Sequence, residues 1–368
     1  MKKILIVNPF GIGDVIFSTP LIEILKETDP HIRIGYICNR RVAELMEANP
    51  HIDKMFVYEK DEYRDEWKRS KLECLKKILA FLSDIRKERF DISVDFSLTY
   101  QSSMLLKLVG IRKRLGFNYR NRGRFLTDKV NIRGFDSKHV IEHYLDMLKL
   151  LDIKRPDHSV SSRIYISPNN FSWADVFLKK TGVSATDKIV GLVPGCGASW
   201  GKDAYYRRWS AWKFAEAADY VARKYGYKVV IFGDSKEVTL CEKVKSEMKT
   251  SPILACGKTT LGQLAALLAR CDLVITNDGG PLHMAVALKR KTIAIFGPVD
   301  EKIYGPYPVR DIYEAVSSNV PCRPCYKNFK YAKCDKLDCL KNVVTKNVID
   351  AVDRLIGKEE LPVKKAGI

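Results

Sequence analysis

Three segments of this chain place charged or amide-rich residues where group transfer at an anion needs them. The first is NPFGIGDVIFSTP, residues 8–20, which follows the apolar run Ile4–Val7 and sets the carboxylate of Asp14 just after Gly13. A dinucleotide fingerprint would need a third glycine for close helix packing and an acidic residue ending the second strand. Here Ile16 takes the glycine's place and the second strand ends in Cys38-Asn39, which argues against NAD. Asp14 suits a helix N-cap at the positive end of the helix dipole. It equally suits a general base at the carboxyl end of the first strand, where open α/β sheets bind ligands. Both readings hold together, because a cap fixes the side chain and keeps it ionised.

The second segment is TNDGGPLHMAVAL, residues 276–288, in which Gly279 and Gly280 let backbone amides face an anion at a helix N-terminus. His283 falls in the first turn, able to donate to a phosphate oxygen or simply to pack, and Asp278 would cap the helix or hold sugar hydroxyls. The third, GLVPGCGASWGKDAYYRRWS (residues 191–210), is a strand opening into a polar loop whose Lys202, Arg207 and Arg208 would neutralise a diphosphate, unless the loop is only solvated.

Two further stretches leave alternatives open. IRKRLGFNYRNRGRFLTDKVNIR, residues 111–133, interleaves Arg112, Lys113, Arg114, Arg120, Arg122 and Arg124 with Phe117, Tyr119 and Phe125, a pattern for nucleic acid or for a phosphorylated acceptor. Cys322, Cys325, Cys334 and Cys339 are spaced C-x2-C-x8-C-x4-C, which suits zinc, an iron–sulfur cluster, or plain thiols, and matches neither a standard zinc ribbon nor a ferredoxin.

These residues need a scaffold, and the hydrophobic pattern supplies one. Apolar runs at Ile4–Val7, Ile32–Ile37, Met55–Tyr58 and Ile92–Asp95 alternate with helical patterns at Leu21–Lys26, Val42–Ala48 and Leu72–Arg86, and His139–Leu151 reads as one amphipathic helix. A second series has strands at Ile189–Val193, Val229–Phe232, Leu273–Ile275 and Thr292–Phe296, with helices at Ala211–Tyr225 and Leu261–Ala269. Such alternation predicts an α/β fold of two doubly wound parallel sheets. The 368 residues suit two domains, and a final helix, Val344–Ile356, has no sheet of its own to complete. The formal charge of +19 favours acidic partners: nucleic acid, anionic lipid or phosphorylated small molecules. No run of roughly 18 apolar residues marks a membrane span, and Asn8, Pro9 and Asp14 interrupt the N-terminal apolar stretch before it makes a signal peptide, so a cytoplasmic protein with mostly reduced cysteines is expected.

In order along the chain, VNPFGIGDVIFSTP, GIRKRLGF, KHVIEHYLDMLKLL, GLVPGCGAS, RRWS, NDGGPLHMAVAL and IAIFGPVDEKIYGPY resemble glycosyltransferase family 9, the heptosyltransferases of lipopolysaccharide core assembly. The resemblance covers nearly the whole chain. It implies a GT-B fold, two Rossmann-like domains facing a central cleft: an acceptor domain at 1–168, a nucleotide-sugar domain at 169–343, and a terminal segment, 344–368, crossing back to the first. It implies inverting transfer, with no metal or other cofactor required, from a nucleotide sugar, typically ADP-heptose, to a phosphorylated glycolipid at the cytoplasmic face of the inner membrane. Carried over by position, Asp14 is the catalytic aspartate and Arg207 the cation on the diphosphate, where relatives often have lysine. Asp278, Gly279, Gly280 and His283 form the donor loop, and Glu237 and Lys202 complete the donor side. Gly13, Arg112, Arg114, Arg120 and Arg122 would meet the acceptor. RRWS lacks the proline common at that turn, and GCGAS departs from the threonine-rich loop of some members, which leaves the sugar open. A transferase using another nucleotide sugar, and a basic nucleic-acid-binding protein, are the competing readings.

Overall fold

The computed structural model describes residues 2–357, apart from the side chains of residues 198–200 and 202. The chain divides into two compact units, Met1–Ile166 and Ser167–Ile368. In the first, strands β1 (Lys3–Val7), β2 (Arg33–Cys38), β3 (Lys54–Val57), β4 (Ile92–Asp95), β5 (Lys113–Tyr119) and β6 (Asp128–Ile132) form one sheet in the order β3-β2-β1-β4-β5-β6. Every pairing in it is parallel. Its helices are α1 (Ile12–Thr28), α2 (Arg40–Glu47), α3 (Lys60–Arg69), α4 (Lys71–Glu88), α5 (Tyr100–Leu108), α6 (Val140–Leu145) and α7 (Met147–Leu150).

The second unit repeats the plan. Strands β7 (Ile189–Val193), β8 (Lys228–Ile231), β9 (Ile253–Leu254), β10 (Leu273–Asn277), β11 (Lys291–Phe296) and β12 (Tyr313–Ser317) form a second parallel sheet in the order β12-β11-β10-β7-β8-β9. A separate hairpin pairs β13 (Tyr326–Lys327) with β14 (Lys330–Tyr331). The helices are α8 (Pro168–Lys180), α9 (Ala211–Tyr225), α10 (Val238–Glu247), α11 (Leu261–Arg270), α12 (Gly280–Ala287), α13 (Glu301–Tyr304), α14 (Asp338–Lys341) and α15 (Thr345–Gly357). Central strands such as β1, β7 and β10 are buried on both faces, so their sequences are unbroken apolar runs.

Several local expectations change. The first helix starts at Ile12 and runs through Pro20, well before the expected Leu21. Proline removes the amide that would bond the Ile16 carbonyl. The Thr19 hydroxyl takes that carbonyl at 2.7 Å, and the Ser18 hydroxyl takes the Val15 carbonyl at 2.7 Å, so the helix continues without a buried orphan. The single helix expected over His139–Leu151 is two, α6 and α7, meeting at Asp146.

The final helix forms where the sequence places it, as α15. Val348, Ala351, Val352, Leu355 and Ile356 of α15 join the same core cluster as Phe214 and Ala218 of α9 and Ile293 of β11. Lys291 donates to the Leu355 carbonyl at 2.8 Å, and Tyr220 and Tyr225 donate to the Asp353 carboxylate. Residues 345–357 therefore pack their apolar face within the second unit. Residues 358–368 lie outside the described part.

Candidate functional site

In each sheet the winding reverses beside the first strand, between β1 and β4 and between β7 and β10, and open parallel sheets bind ligands at the carboxyl ends of such strands. In the first unit that position is occupied by the loop from Asn8 to Gly11. Asn8, fully buried, donates to the Asp14 carbonyl at 2.9 Å. Asn39, at the end of β2, donates to the carbonyls of Pro9 (3.1 Å) and Phe10 (2.6 Å) while its oxygen caps α2 through the Arg41 amide. Two asparagine amides thus fix the loop from both sides. Gly11 is the N-cap, so Asp14 is the third residue of α1 and not its cap. Its half-buried carboxylate still lies in the first turn, where the helix dipole favours the charged form. Gly13 lies beside it in the same turn.

A second carboxyl stands at this edge, and nothing local in the sequence marked it. Asp95 ends β4 opposite Val7, is buried, and accepts from the Ser97 amide at 2.9 Å. Burial pushes its carboxyl up to about 6.

The basic stretch is not one patch. It contains strand β5, with Arg112 and Arg114 at its amino end and Arg120 just past its carboxyl end, roughly 20 to 26 Å away at the usual rise per residue. Arg114 is committed internally: its guanidinium donates to the carbonyls of Phe125 (2.7 Å), Ile111 (2.6 Å) and Arg112 (3.0 Å). Arg120 and Arg122 are exposed at the carboxyl edge, stacked 5.0 and 5.8 Å from the Tyr119 ring. Phe117 and Tyr119 are buried, so they offer no platform for bases, and of the three aromatics in the pattern only Phe125 is half-exposed.

The second unit builds a denser site. Asn277, the fully buried last residue of β10, donates to the Pro194 carbonyl at 2.7 Å and accepts from the Trp209 amide at 3.1 Å. It ties the loop after β7 to the turn carrying Arg207 and Arg208. A Cβ on Gly279 would lie 2.7 Å from the Cys196 carbonyl oxygen, so only glycine lets the β10 turn lie against that loop and open α12 there. His283 lies in the first turn of α12 and is 7% exposed.

Arg207 and Asp278 form a buried ion pair, Nη1 to Oδ2 at 2.7 Å, with side chains 5% and 2% exposed. Burial works against both charges. The guanidinium nonetheless holds its proton more firmly than usual, because the Asp278 carboxylate and two tyrosine oxygens face it. Burial raises the Asp278 carboxyl above its ordinary value, and the Arg207 guanidinium, 2.7 Å away, opposes that rise. Among the described residues neither Asp278 oxygen has a hydrogen-bond donor, which leaves acceptor capacity beyond the ion pair.

The β13–β14 hairpin, inside the cysteine-rich segment, supplies the rest of the Arg207 environment. Arg207 Nε donates to the Tyr331 hydroxyl, and its guanidinium lies 5.4 and 5.6 Å from the rings of Tyr326 and Tyr331. Tyr206 stacks on Tyr331 at 5.2 Å. Burial raises the Tyr331 phenol above its ordinary value, so it stays protonated. Cys322, Cys325, Cys334 and Cys339 are free thiols, and among the described residues no group of three or more His, Cys, Asp or Glu is arranged to hold a metal ion.

Glu237 is buried, and its carboxylate serves the chain itself. It accepts from the amides of Cys196 (3.1 Å), Gly197 (3.2 Å) and Asp234 (3.2 Å), and from Arg208 at 3.3 Å. It therefore shapes the loop after β7. Arg208 is the more exposed of the two arginines, its side chain 32% accessible. Lys202 precedes both arginines in the same segment, with its side chain outside the described residues. Asn277, Tyr326 and Tyr331 were absent from the sequence reading: the first was hidden beside Asp278, and the tyrosines among the cysteines.

Comparison with known proteins agrees with this architecture. Lipooligosaccharide heptosyltransferase 2 of Campylobacter jejuni is 27% identical over 361 residues, 96% of this chain and 99% of that protein. The crystal structure of a family 9 glycosyl transferase from Veillonella parvula matches with a TM-score of 0.82 at 28% identity, covering 97% of this chain and 98% of the other. That of Escherichia coli ADP-heptose lps heptosyltransferase II matches in fold, with a TM-score of 0.74 at 21% identity over 98% and 100% of the two chains. The profile described as Glycosyltransferase family 9 (heptosyltransferase) matches residues 78–335. With two doubly wound parallel sheets of the GT-B class and that match over most of its length, the chain is a glycosyltransferase and belongs to family 9, the heptosyltransferases.

Proposed function

We propose that this enzyme transfers heptose from ADP-heptose to a phosphorylated, lipid-linked saccharide of the lipopolysaccharide core, with inversion and without a divalent ion. Asp14 takes the proton of the acceptor hydroxyl as its oxygen bonds to the anomeric carbon. The bond from that carbon to the β-phosphate oxygen breaks in the same step, and the electron pair leaves with ADP. The amides opening α12, with His283, stabilise the charge gained by the leaving group. Arg207 adds a fixed positive charge at the root of that turn, and the open acceptor oxygens of Asp278 suit sugar hydroxyls. Arg120 and Arg122 meet the acceptor's phosphate, and Glu237 acts by holding the loop after β7. The E. coli and C. jejuni relatives support the donor and the acceptor class respectively.

The observation that carries this reading is the construction of the β10–α12 turn. A helix N-terminus stands at the switch point of the sheet, with a glycine packed on the neighbouring loop and a buried Arg207–Asp278 pair beneath. The test is calorimetric titration of ADP, UDP and GDP, followed by turnover with ADP-heptose in wild type and Asp14→Asn. ADP should bind most tightly, and the variant should lose about 100-fold to 10,000-fold in kcat with ADP affinity unchanged. Preference for UDP or GDP overturns the donor assignment, and near-normal turnover in the variant overturns the role of Asp14. The site of action follows as the cytoplasmic face of the inner membrane; among the described residues no helix is long and apolar enough to cross a bilayer.

A further inference from the structure

Helix α4 carries two apolar faces, of which the fold uses one. Cys74 and Ile85 are buried, and Phe81 packs with Phe56 of β3 and the Phe90 core. On the other side Leu72, Leu75 and Leu79 are 63%, 47% and 56% exposed. Their spacing of three and four residues puts them in one line along the helix, which ends where Leu82 packs against the core. Trp67, near the end of α3, is 49% exposed, and Lys71 Nζ lies 5.9 Å from its ring.

The border of the stripe is cationic. Helical geometry places Lys71 on one side, Lys76 and Lys87 on the other, and Arg86 in line at its far end; all are exposed. Lys76 and Lys87 pair with Glu73 and Asp84, but those carboxylates are 53% and 61% exposed, so the pairs hold the lysines weakly. Residues 60–90 carry ten Lys and Arg against seven Asp and Glu.

We propose that the Leu72–Leu75–Leu79 face of α4, with Trp67 beside it, is the surface by which the enzyme lies on an anionic lipid bilayer. The leucines enter the boundary between headgroups and acyl chains, and the surrounding lysines and Arg86 meet lipid phosphates. A single convex row of leucines is too narrow for a stable protein interface, which buries about 800 Å² on each partner. A helix lying in the headgroup boundary needs only such a row, and an aromatic residue at its end is typical of that depth. The choice of a bilayer rests on the proposed lipid-linked acceptor; the stripe itself does not. Attachment then has two parts: salt weakens the cationic part and leaves the apolar part in place.

The experiment is sedimentation of the full chain with vesicles of phosphatidylglycerol and phosphatidylethanolamine across a salt series. Wild type, Leu72→Ser/Leu75→Ser/Leu79→Ser and Leu75→Trp are compared. Each leucine is about half exposed, so the triple variant should lose on the order of 100-fold in partitioning, most visibly at high salt. Leu75→Trp should gain blue-shifted emission on vesicles, relative to wild type. ADP titration of each variant reports the second unit independently. The proposal is overturned if wild type ignores vesicles, if the triple variant partitions within about threefold of wild type, or if the new tryptophan's emission is unchanged in bound protein. It is equally overturned if the leucines instead hold a dimer in lipid-free solution. Failure of ADP to bind wild type would count against the donor reading alone.

Discussion

Replacing Asp278 by asparagine removes one charge from a pair whose side chains are 5% and 2% exposed and whose atoms meet at 2.7 Å. The guanidinium of Arg207 then keeps its two phenol rings and the Tyr331 hydroxyl but loses the Asp278 carboxylate. Breaking a buried pair on one side costs about 3–5 kcal/mol, most of it the uncompensated charge. For a unit of this size each kcal/mol lowers the melting temperature by roughly 2–4 °C, so the second unit's transition should fall by roughly 6–20 °C. Arg207→Met should cost a similar amount, since it strands the carboxylate. The double variant buries neither charge, so its loss should be smaller than the sum of the two by at least about 2 kcal/mol. The assay is calorimetric unfolding of all four proteins, with the second unit's transition identified by its response to ADP. Additive losses, within about 0.5 kcal/mol, would refute the argument that the two groups hold each other in charged form.

Two other outcomes follow from the same geometry. Asp95 has a folded-state carboxyl raised from 3.8 to about 6, so the native protein binds a proton that the unfolded chain has already lost as pH rises from about 4. Wild type should therefore lose roughly 3 kcal/mol relative to Asp95→Asn between about pH 3 and pH 7 and almost nothing above that; a difference independent of pH in urea unfolding would contradict the assignment. Gly279→Ala places a methyl group 2.7 Å from the Cys196 carbonyl oxygen and 3.1 Å from its Cα. Relief requires backbone movement at about 1–3 kcal/mol, so melting temperature and ADP affinity should fall together, and an unchanged melting curve would show that the loop yields freely.

The central strands of both sheets were legible because burial on both faces demands unbroken apolar runs such as ILIV at Ile4–Val7 and IVGLV at Ile189–Val193. Strands β5 and β6 were not, although β3 at the opposite edge was. KRLGFNY at Lys113–Tyr119 and DKVNI at Asp128–Ile132 carry cations and amides because β6 is an edge strand and β5 starts at the solvent. The same residues read as a basic patch, although the strand between them separates Arg112 from Arg120. Asp14 and the β10–α12 turn were visible because a glycine-flanked carboxylate after a strand, and a glycine pair before a helix, are local patterns. The neighbours of Arg207 were not, because Asp278, Tyr326 and Tyr331 reach it only through the tertiary fold. The partners of the final helix were hidden for a related reason: its amphipathic face identifies that something must cover it, and only packing identifies α9 and β11 as the cover.

The hairpin that floors Arg207 sets a constraint of its own. Tyr326 and Tyr331 are directly opposite each other across a two-residue turn, Asn328-Phe329, and opposed residues share one side of a ribbon. Both turn residues take left-handed backbone angles, φ 52° and 63°, as such a tight reversal demands, and a phenylalanine tolerates that poorly. One added residue would swing either phenol to the far side of the ribbon. The number of residues separating the two rings therefore matters to the guanidinium as well as their hydroxyls.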